Sequence, residues 1–195
     1  MIKVGLTGGI GSGKSVIARI FLSMNIPVYI SDYRAKLLME SDKVVVKKLK
    51  NYFGNKIYKN GRLNRKLLAS MIFDNRVALE FVNSIVHPAV EEDFRQWCEK
   101  QKSRYVIKES AILFEAGANK KLDYVITVYA PVSVRVKRVT SRDDITEEHV
   151  RKRMENQWPD EKKVLLSDFV IVNDDKTFVL PQVLNLHNFF LKQQV

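Results

Sequence analysis

The 195-residue sequence contains a single cysteine, Cys98, and no long apolar run. One cysteine cannot form an intramolecular disulfide, which fits a reducing compartment. No apolar stretch approaches the roughly 20 residues that a membrane-spanning helix needs, and the first residues do not follow the pattern of a signal peptide. We therefore expect a cytoplasmic protein with no membrane partner, in which Cys98 is a packed core residue.

Acidic residues are scarce relative to basic ones, since 22 Asp and Glu stand against 33 Lys and Arg, giving a net charge of +11. Nucleic acid, an anionic membrane and a polyphosphate substrate could each attract such a surface. The basic residues show no interleaved aromatics and no signature of a nucleic-acid-binding fold, so we expect no nucleic-acid partner. Internal repeats are also absent, and the length suits one globular domain. A small phosphorylated ligand explains the positive charge most simply, because a phosphate-binding motif is present.

The sequence does contain a phosphate-binding motif, because residues 8–15 follow the pattern G-x-x-x-x-G-K-S. The apolar run before the motif predicts a buried strand, and the apolar residues after it lie on one helix face. That strand–loop–helix order is the context in which the motif binds a nucleoside triphosphate. The ligand-binding candidates are Gly8, Gly9, Ile10, Gly11, Ser12, Gly13, Lys14 and Ser15. Backbone N–H groups would surround the phosphates, Lys14 would reach the β- and γ-phosphates, and Ser15 would offer a hydroxyl to Mg²⁺.

Short apolar runs alternate with helical patterns along the whole chain. Strands are predicted near residues 2–6, 28–30, 105–107, 124–128 and 168–172. This alternation predicts an α/β fold with a five-stranded parallel sheet and helices on both faces. Residues from about 42 to 102 read as mostly helical, which is far more than a minimal crossover needs. Pro88 is expected to kink the long helix there or to break it after His87.

Two carboxylates follow predicted strands. Asp32 comes after the second strand, at the sheet edge where open α/β folds collect ligands. Its position fits a catalytic carboxylate and a helix cap equally well. Glu109 ends the third strand, where phosphate-loop proteins often carry an acidic partner for magnesium. The residues alone leave both roles open.

The helix expected after Pro131 places Arg135, Arg138 and Arg142 on one face. A second helix, capped by Thr146, follows it. A solvated basic face and a lid that closes over ATP both fit this spacing. In the lid interpretation, arginines stabilise the charge on the oxygens of the transferred phosphoryl group.

In order and spacing, these motifs resemble the dephospho-CoA kinase family over nearly the whole chain. The matching segments are residues 5–15 (GLTGGIGSGKS), residues 61–65 (GRLNR), His87-Pro88, Leu113-Phe114-Glu115, Arg138 with Arg142, Arg153 with Gln157, and the late strand from Asp168 to Asn173. The resemblance implies a three-layer phosphate-loop kinase of the nucleoside monophosphate kinase type. Such an enzyme uses ATP and Mg²⁺ to phosphorylate the 3′-hydroxyl of dephospho-CoA, which completes coenzyme A.

The resemblance also implies a single domain, residues 1–195, with three parts of different function. A nucleotide-binding core would comprise residues 1–30, 103–135 and 164–195. Residues 31–102 would form a helical acceptor subdomain, and residues 136–163 would form the lid.

Residue roles can be carried over from the family's motifs. Asp32 matches the second Asp of a D-x-D pair and would be the base, whereas Ile30 replaces the first Asp. Glu109 stands where the family has Asp, and Arg135 stands where it often has Gln. The implied catalytic residues are Asp32, Lys14, Arg138 and Arg142; Arg138 and Asn173 would also bind ATP; and Asp32, Arg65, His87, Leu113 and Glu115 would bind the acceptor. Ser15, with Glu109, would hold the metal.

Two other functions fit parts of the sequence. A phosphate-loop kinase could act on another small acceptor, such as a nucleoside monophosphate. A switch-like nucleotide binder is the second alternative, but the N-K-x-D guanine motif of GTPases does not occur; residues 173–176 read NDDK.

Overall fold

The computed structural model describes residues 1–73 and 75–193, which form two compact units. The first unit comprises Met1–Ile30 and the chain from Gln101 onward, and the second comprises Ser31–Lys100. The strands are β1 (Ile2–Thr7), β2 (Val28–Ile30), β3 (Tyr58–Lys59), β4 (Arg62–Leu63), β5 (Tyr105–Glu109), β6 (Tyr124–Tyr129) and β7 (Phe169–Val172). The α-helices are α1 (Lys14–Ser23), α2 (Ser31–Ser41), α3 (Lys43–Phe53), α4 (Arg65–Ile72), α5 (Arg76–Glu99), α6 (Val132–Asp143), α7 (Glu147–Glu155), α8 (Asp160–Leu165) and α9 (Val179–Lys192). Short 3₁₀ turns occupy Asn55–Ile57 and Ala118–Lys121.

A five-stranded parallel sheet lies at the centre of the first unit, as the sequence predicts. Its strand order is β2-β5-β1-β6-β7, so β1 is the middle strand. Leu6 of β1 stands opposite Glu109 of β5 and Ile126 of β6. The carboxyl ends of these three strands therefore share the edge of the sheet from which the phosphate loop leaves β1.

Both faces of the sheet are covered. On one face, alternate strand residues pack against α1 and α9, and the fully buried members of this core are Val4, Leu6, Ile17, Phe21, Tyr105, Ile107, Ile126, Val128, Ile171, Val183 and Phe190. Leu113, Phe114 and Val125 form a separate cluster. Gly5 of β1 faces that cluster, since a Cβ at Gly5 would lie 2.7 Å from Leu113 and 2.8 Å from Leu122. The alternation along β1 and β6 thus supplies two cores, which is the layered arrangement expected of an α/β fold.

The second unit is mainly helical, with one hairpin that the sequence did not predict as strands. β3 and β4 pair in antiparallel fashion around Asn60 and Gly61, whose φ angles are 51° and 77°. Positive φ at both central residues is the geometry of a tight hairpin turn, and Asn-Gly is its preferred sequence. Asn64 caps α4 by accepting the N–H of Leu67 at 3.1 Å.

Of the two outcomes predicted at Pro88, the break after His87 is wrong, and the kink stays a prediction. α5 runs from Arg76 to Glu99 with Pro88 inside it. Proline cannot donate an N–H to the carbonyl one turn earlier, but Val86 and Val90 are buried on either side of it. Burial along one face therefore keeps the helical path where the local rule favours a break. Cys98 near the end of α5 is 5% exposed, which confirms its prediction as a core residue.

None of the helices in the described part of the chain is long and apolar enough to cross a bilayer.

Candidate active site

The phosphate loop leaves β1 after Thr7 and enters α1 at Lys14. Gly8 has a φ of 142°, and a Cβ there would lie 2.3 Å from the carbonyl oxygen of Val128. Gly13 has a φ of 93°, and a Cβ there would lie 2.2 Å from Nδ2 of Asn173. Only glycine fits these conformations and approaches, so the loop is packed tightly against the ends of β6 and β7.

Lys14 folds back over the loop that precedes it. Its Nζ donates to the carbonyl oxygen of Gly8 at 2.7 Å and to that of Gly9 at 3.3 Å. The residue is 8% exposed and begins α1, whose N-terminal N–H groups carry a partial positive charge. The ammonium group and the helix terminus together make this loop a site for an anion.

Arg138 and Asn173 meet at the other side of the loop; their binding of ATP stays a prediction. Arg138 donates to the carbonyl oxygen of Gly11 and to Oδ1 of Asn173, each at 3.3 Å. It also pairs with Asp175. Asn173 donates from Nδ2 to the carbonyl oxygen of Ser12 at 2.8 Å. A guanidinium group is thus held beside the phosphate loop by groups on two different elements.

Arg142 lies in a different environment, at the C-terminal end of α6. Its Nε donates to Asp143 at 2.7 Å, and Arg153 of α7 donates to the same carboxylate at 2.8 Å. The Arg142 side chain is 63% exposed. The structure therefore brings Arg138 to the loop and places Arg142 in a pairing that joins α6 to α7; its catalytic role stays a prediction.

Two side chains near the start of α8 hold the first half of the loop. The N–H of Gly9 donates to Oδ1 of Asp160 at 2.8 Å, and the N–H of Ile10 donates to Oε1 of Gln157 at 2.9 Å. The sequence points to Gln157 only through its family motif, and it does not point to Asp160 as a residue of the site. An Asp that follows Pro159 reads as an ordinary helix start, so its burial has no signal in the local sequence.

Asp160 forms a buried ion pair with Arg135, which lies on α6. Nη1 of Arg135 is 3.2 Å from Oδ2 of Asp160, and the two side chains are 6% and 1% exposed. Burial raises the pKa of the Asp160 carboxyl, while Arg135, Lys163 and the N–H of Gly9 act in the opposite direction. A Cβ at Gly9 would lie 1.9 Å from Nη1 of Arg135, so the guanidinium packs directly on the loop. Arg135 is therefore an internal residue and does not belong to a solvated basic face.

Glu115 contacts the same part of the chain. Its Oε1 lies 2.8 Å from Nζ of Lys163 and accepts the N–H of Trp158 at 2.8 Å. Lys163 is fully buried and also donates to the carbonyl oxygen of Ala111 at 2.7 Å. Leu113 is likewise fully buried, in the cluster that faces Gly5. Within the first unit these two predicted acceptor residues contact protein groups, and their roles toward an acceptor remain predictions.

The other predicted acceptor residues belong to the second unit. Asp32 lies in the first turn of α2, which begins at Ser31, so it stands inside the helix and is not its cap. Arg65 is the first residue of α4 and pairs with Glu40 of α2 at 3.0 Å. His87 lies within α5, immediately before Pro88.

A metal at this site would depend on phosphate oxygens as well as protein groups. Among residues 1–73 and 75–193, no cluster of three or more His, Cys, Asp or Glu side chains is placed to hold a metal ion. Ser15 is exposed at the start of α1, and Glu109 ends β5 opposite Leu6. Hydroxyl and carboxylate oxygens are ligands that Mg²⁺ accepts, and it commonly binds through few protein groups plus substrate phosphates.

Comparison with known proteins decides the family. The sequence profile of the dephospho-CoA kinases matches residues 2–178. The chain belongs to the dephospho-CoA kinase family. The family that the sequence motifs indicate is thereby confirmed.

Relatives within this family match over nearly their whole length. A dephospho-CoA kinase from Bacteroides fragilis is 40% identical over 193 residues, which cover 98% of this chain and 94% of that protein. A dephospho-CoA kinase from Porphyromonas gingivalis is 43% identical over 187 residues, covering 95% and 93%. A crystal structure from Thermus thermophilus superimposes with a TM-score of 0.84 at 30% identity, covering 100% of this chain and 98% of that one. The chain thus shares its fold with that Thermus thermophilus protein over its full length.

Proposed function

We propose that this dephospho-CoA kinase family member transfers the γ-phosphate of ATP to the 3′-hydroxyl of dephospho-CoA, giving coenzyme A and ADP. The observation that carries the proposal is the phosphate loop with the basic side chains that contact it. The chain around this loop matches the family from residue 2 to residue 178. Lys14 is folded over the loop, and Arg138 lies against Gly11. Such an arrangement suits transfer of a phosphoryl group as well as its binding.

The loop would bind the triphosphate of ATP. Since the N–H groups of Gly9 and Ile10 already donate to side chains, the N–H groups of Gly11, Gly13 and the first turn of α1 would bind the β- and γ-phosphates, with the Lys14 ammonium beside them. Arg138 would stabilise the charge that the γ-phosphoryl oxygens carry in the transition state. Asn173 supports this role indirectly, because it is bonded both to the loop and to Arg138.

Mg²⁺ would be held by Ser15, with Glu109 as a second contact. When bound there, the ion would neutralise part of the phosphate charge. The exposed hydroxyl of Ser15 at the start of α1 and the carboxylate at the end of β5 support this assignment.

The acceptor would bind through the helical unit, with Arg65 and His87 as contacts and Asp32 at the reacting hydroxyl. The 3′-oxygen forms a bond to the γ-phosphorus, the bond between that phosphorus and the ADP oxygen breaks, and the hydroxyl proton passes to the Asp32 carboxylate. Because phosphoryl transfer is loose, Asp32 would act as much by orienting the hydroxyl as by removing its proton early. Residues 31–102 would form the acceptor subdomain, and residues 136–163 would form the lid that excludes water.

A coupled ADP-release assay tests the proposal. ADP should appear with ATP, Mg²⁺ and dephospho-CoA, with little release when the acceptor is left out. Mass spectrometry should show one phosphate added to dephospho-CoA. Lys14→Ala should abolish the activity, whereas the exposed Lys137→Ala should not. Phosphorylation of nucleoside monophosphates without phosphorylation of dephospho-CoA would overturn the assignment in favour of the other small-acceptor kinase.

A further inference from the structure

Two buried charged residues contact the phosphate loop without a role in the proposed reaction. Asp160 and Arg135 are 1% and 5% exposed. Burying a charge costs several kcal/mol even when it is paired, so an ion pair in this position is a poor way to gain stability. Their geometry points to a different purpose.

The Arg135–Asp160 pair contacts Gly9 on two sides. Oδ1 of Asp160 accepts the Gly9 N–H at 2.8 Å, and Nη1 of Arg135 occupies the place where a side chain at Gly9 would begin. The main chain of Arg135 approaches Gly11 in the same way, because a Cβ there would lie 2.6 Å from the Arg135 carbonyl oxygen. The pair therefore fixes the position of the first half of the loop.

The Gly9 peptide in turn holds the lysine that would face the phosphates. Its carbonyl oxygen accepts from Nζ of Lys14 at 3.3 Å and from the N–H of Ser12 at 3.1 Å. The Gly9 N–H also belongs to the same planar peptide unit as the Gly8 carbonyl, whose oxygen accepts from Nζ of Lys14 at 2.7 Å. The bond from Gly9 to Asp160 therefore orients an acceptor of the Lys14 ammonium, and Asp160 is linked to that ammonium through the Gly8–Gly9 peptide.

We propose that Asp160, held in place by Arg135, is a positioning residue that fixes Gly9 and so aims the Lys14 ammonium at the phosphates of ATP. Asp160 itself does not contact the nucleotide. The inference rests on the proposed function only in that ATP binds the loop, so it can be tested by ATP binding without any acceptor.

The decisive comparison uses two double variants that leave no unpaired buried charge. Asp160→Asn with Arg135→Gln keeps an acceptor for the Gly9 N–H, whereas Asp160→Ala with Arg135→Gln removes it. Titration calorimetry with ATP and Mg²⁺, and urea unfolding, would be measured for both, with Glu161→Gln as an exposed neighbouring control. The Asn/Gln variant should bind ATP nearly as well as the wild type. The Ala/Gln variant should bind it about 10- to 100-fold more weakly, since a buried donor loses its partner.

A second measurement separates positioning from a purely structural role. The Asp160→Ala/Arg135→Gln change removes the acceptor of the Gly9 N–H. If Asp160 acts through Lys14, this change should cause little further loss of ATP affinity in a Lys14→Ala background, because the effects of coupled residues are not additive. Equal ATP affinity in the two double variants would overturn the proposal. The proposal would also be overturned if the loss of ATP affinity on removing this acceptor were the same with and without Lys14, even if both double variants unfold at lower urea concentrations. Failure of phosphate transfer to dephospho-CoA, with this pattern of ATP binding intact, would overturn the proposed function and leave the positioning role standing.

Discussion

Gly13→Ala should destabilise the protein by two separable effects. The first is the backbone, because φ at Gly13 is 93° and left-handed backbone costs other residues about 1–2 kcal/mol. The second is contact, because the new Cβ would meet Nδ2 of Asn173 at 2.2 Å. That amide must move, and its hydrogen bond to the buried residue Ser12 is lost, which adds about 1–3 kcal/mol. The free energy of unfolding should therefore fall by about 2–5 kcal/mol.

Two matched variants separate these effects. Gly117→Ala carries only the backbone cost, since its φ is 66° and a Cβ there has no neighbour within 4 Å. It should lower the free energy of unfolding by about 1–2 kcal/mol. In an Asn173→Ala background the clashing amide is absent, so the further cost of Gly13→Ala should fall to the same range.

Urea unfolding followed by circular dichroism measures the free energy of unfolding of the wild type, of the three single variants and of the double variant, provided that the dependence on urea concentration stays constant among them. The comparison is a double-mutant cycle, in which the difference between the two backgrounds is the energy of the Gly13–Asn173 contact. An equal cost of Gly13→Ala with and without Asn173 would refute the reasoning. A cost no greater than that of Gly117→Ala would refute it as well.

Three further changes test the site and the second unit. Asp32→Asn should lower kcat on the order of 10²–10⁴-fold in the ADP-release assay while ATP affinity stays the same, and near-normal turnover would exclude Asp32 as the base. Burial and then the charge of Glu40 raise the pKa of Tyr58 from 10.0 to about 12. The neutral phenol therefore stabilises the fold below pH 10, and this contribution is lost as the pH rises through about 12. The stability difference between wild type and Tyr58→Phe in urea should accordingly shrink between pH 9 and 12, and a constant difference would contradict the assignment. Asn64→Ala should lower the free energy of unfolding by about 1 kcal/mol because it removes the cap of α4, whereas Asn64→Asp should keep most of the stabilisation that the cap provides. Equal losses of stability in the two variants would argue against the cap.

Much of the sheet could be predicted because its central strands, β1, β5 and β6, are buried on both faces. Such strands appear as short, nearly continuous apolar runs, as residues 124–128 do for β6. The apolar run at residues 28–30 also lies where the structure places the edge strand β2. β5 extends to Glu109, two residues past its apolar part, because pairing with β1 and β2 continues there. The sequence predicts the long helix but could not settle that it continues past Pro88, since the burial of Val86 and Val90 depends on residues distant in sequence.

The site divides in the same way. The phosphate loop is a local motif whose geometry follows from glycine and from the strand and helix that flank it, so it could be read directly. Asp160 and Lys163 occur in the sequence PDEKK, which looks like the polar start of a surface helix. Their burial arises only when α8 packs beside the loop. For the same reason Arg138 and Arg142 are indistinguishable in sequence, although one contacts Gly11 and the other Asp143.

The central place of β1 has a consequence for the order of folding. Both neighbours of β1 come much later in the chain, since Ile2 pairs with Tyr105 and Gly5 pairs with Val125. During synthesis at about 5–20 residues per second, β1 and its loop wait on the order of 5–20 s for their partners. Ser31–Lys100, whose contacts form a unit of their own, can form meanwhile. The phosphate loop is therefore synthesised well before the strands that hold it, and it reaches its final packing only after β5 and β6 have been made.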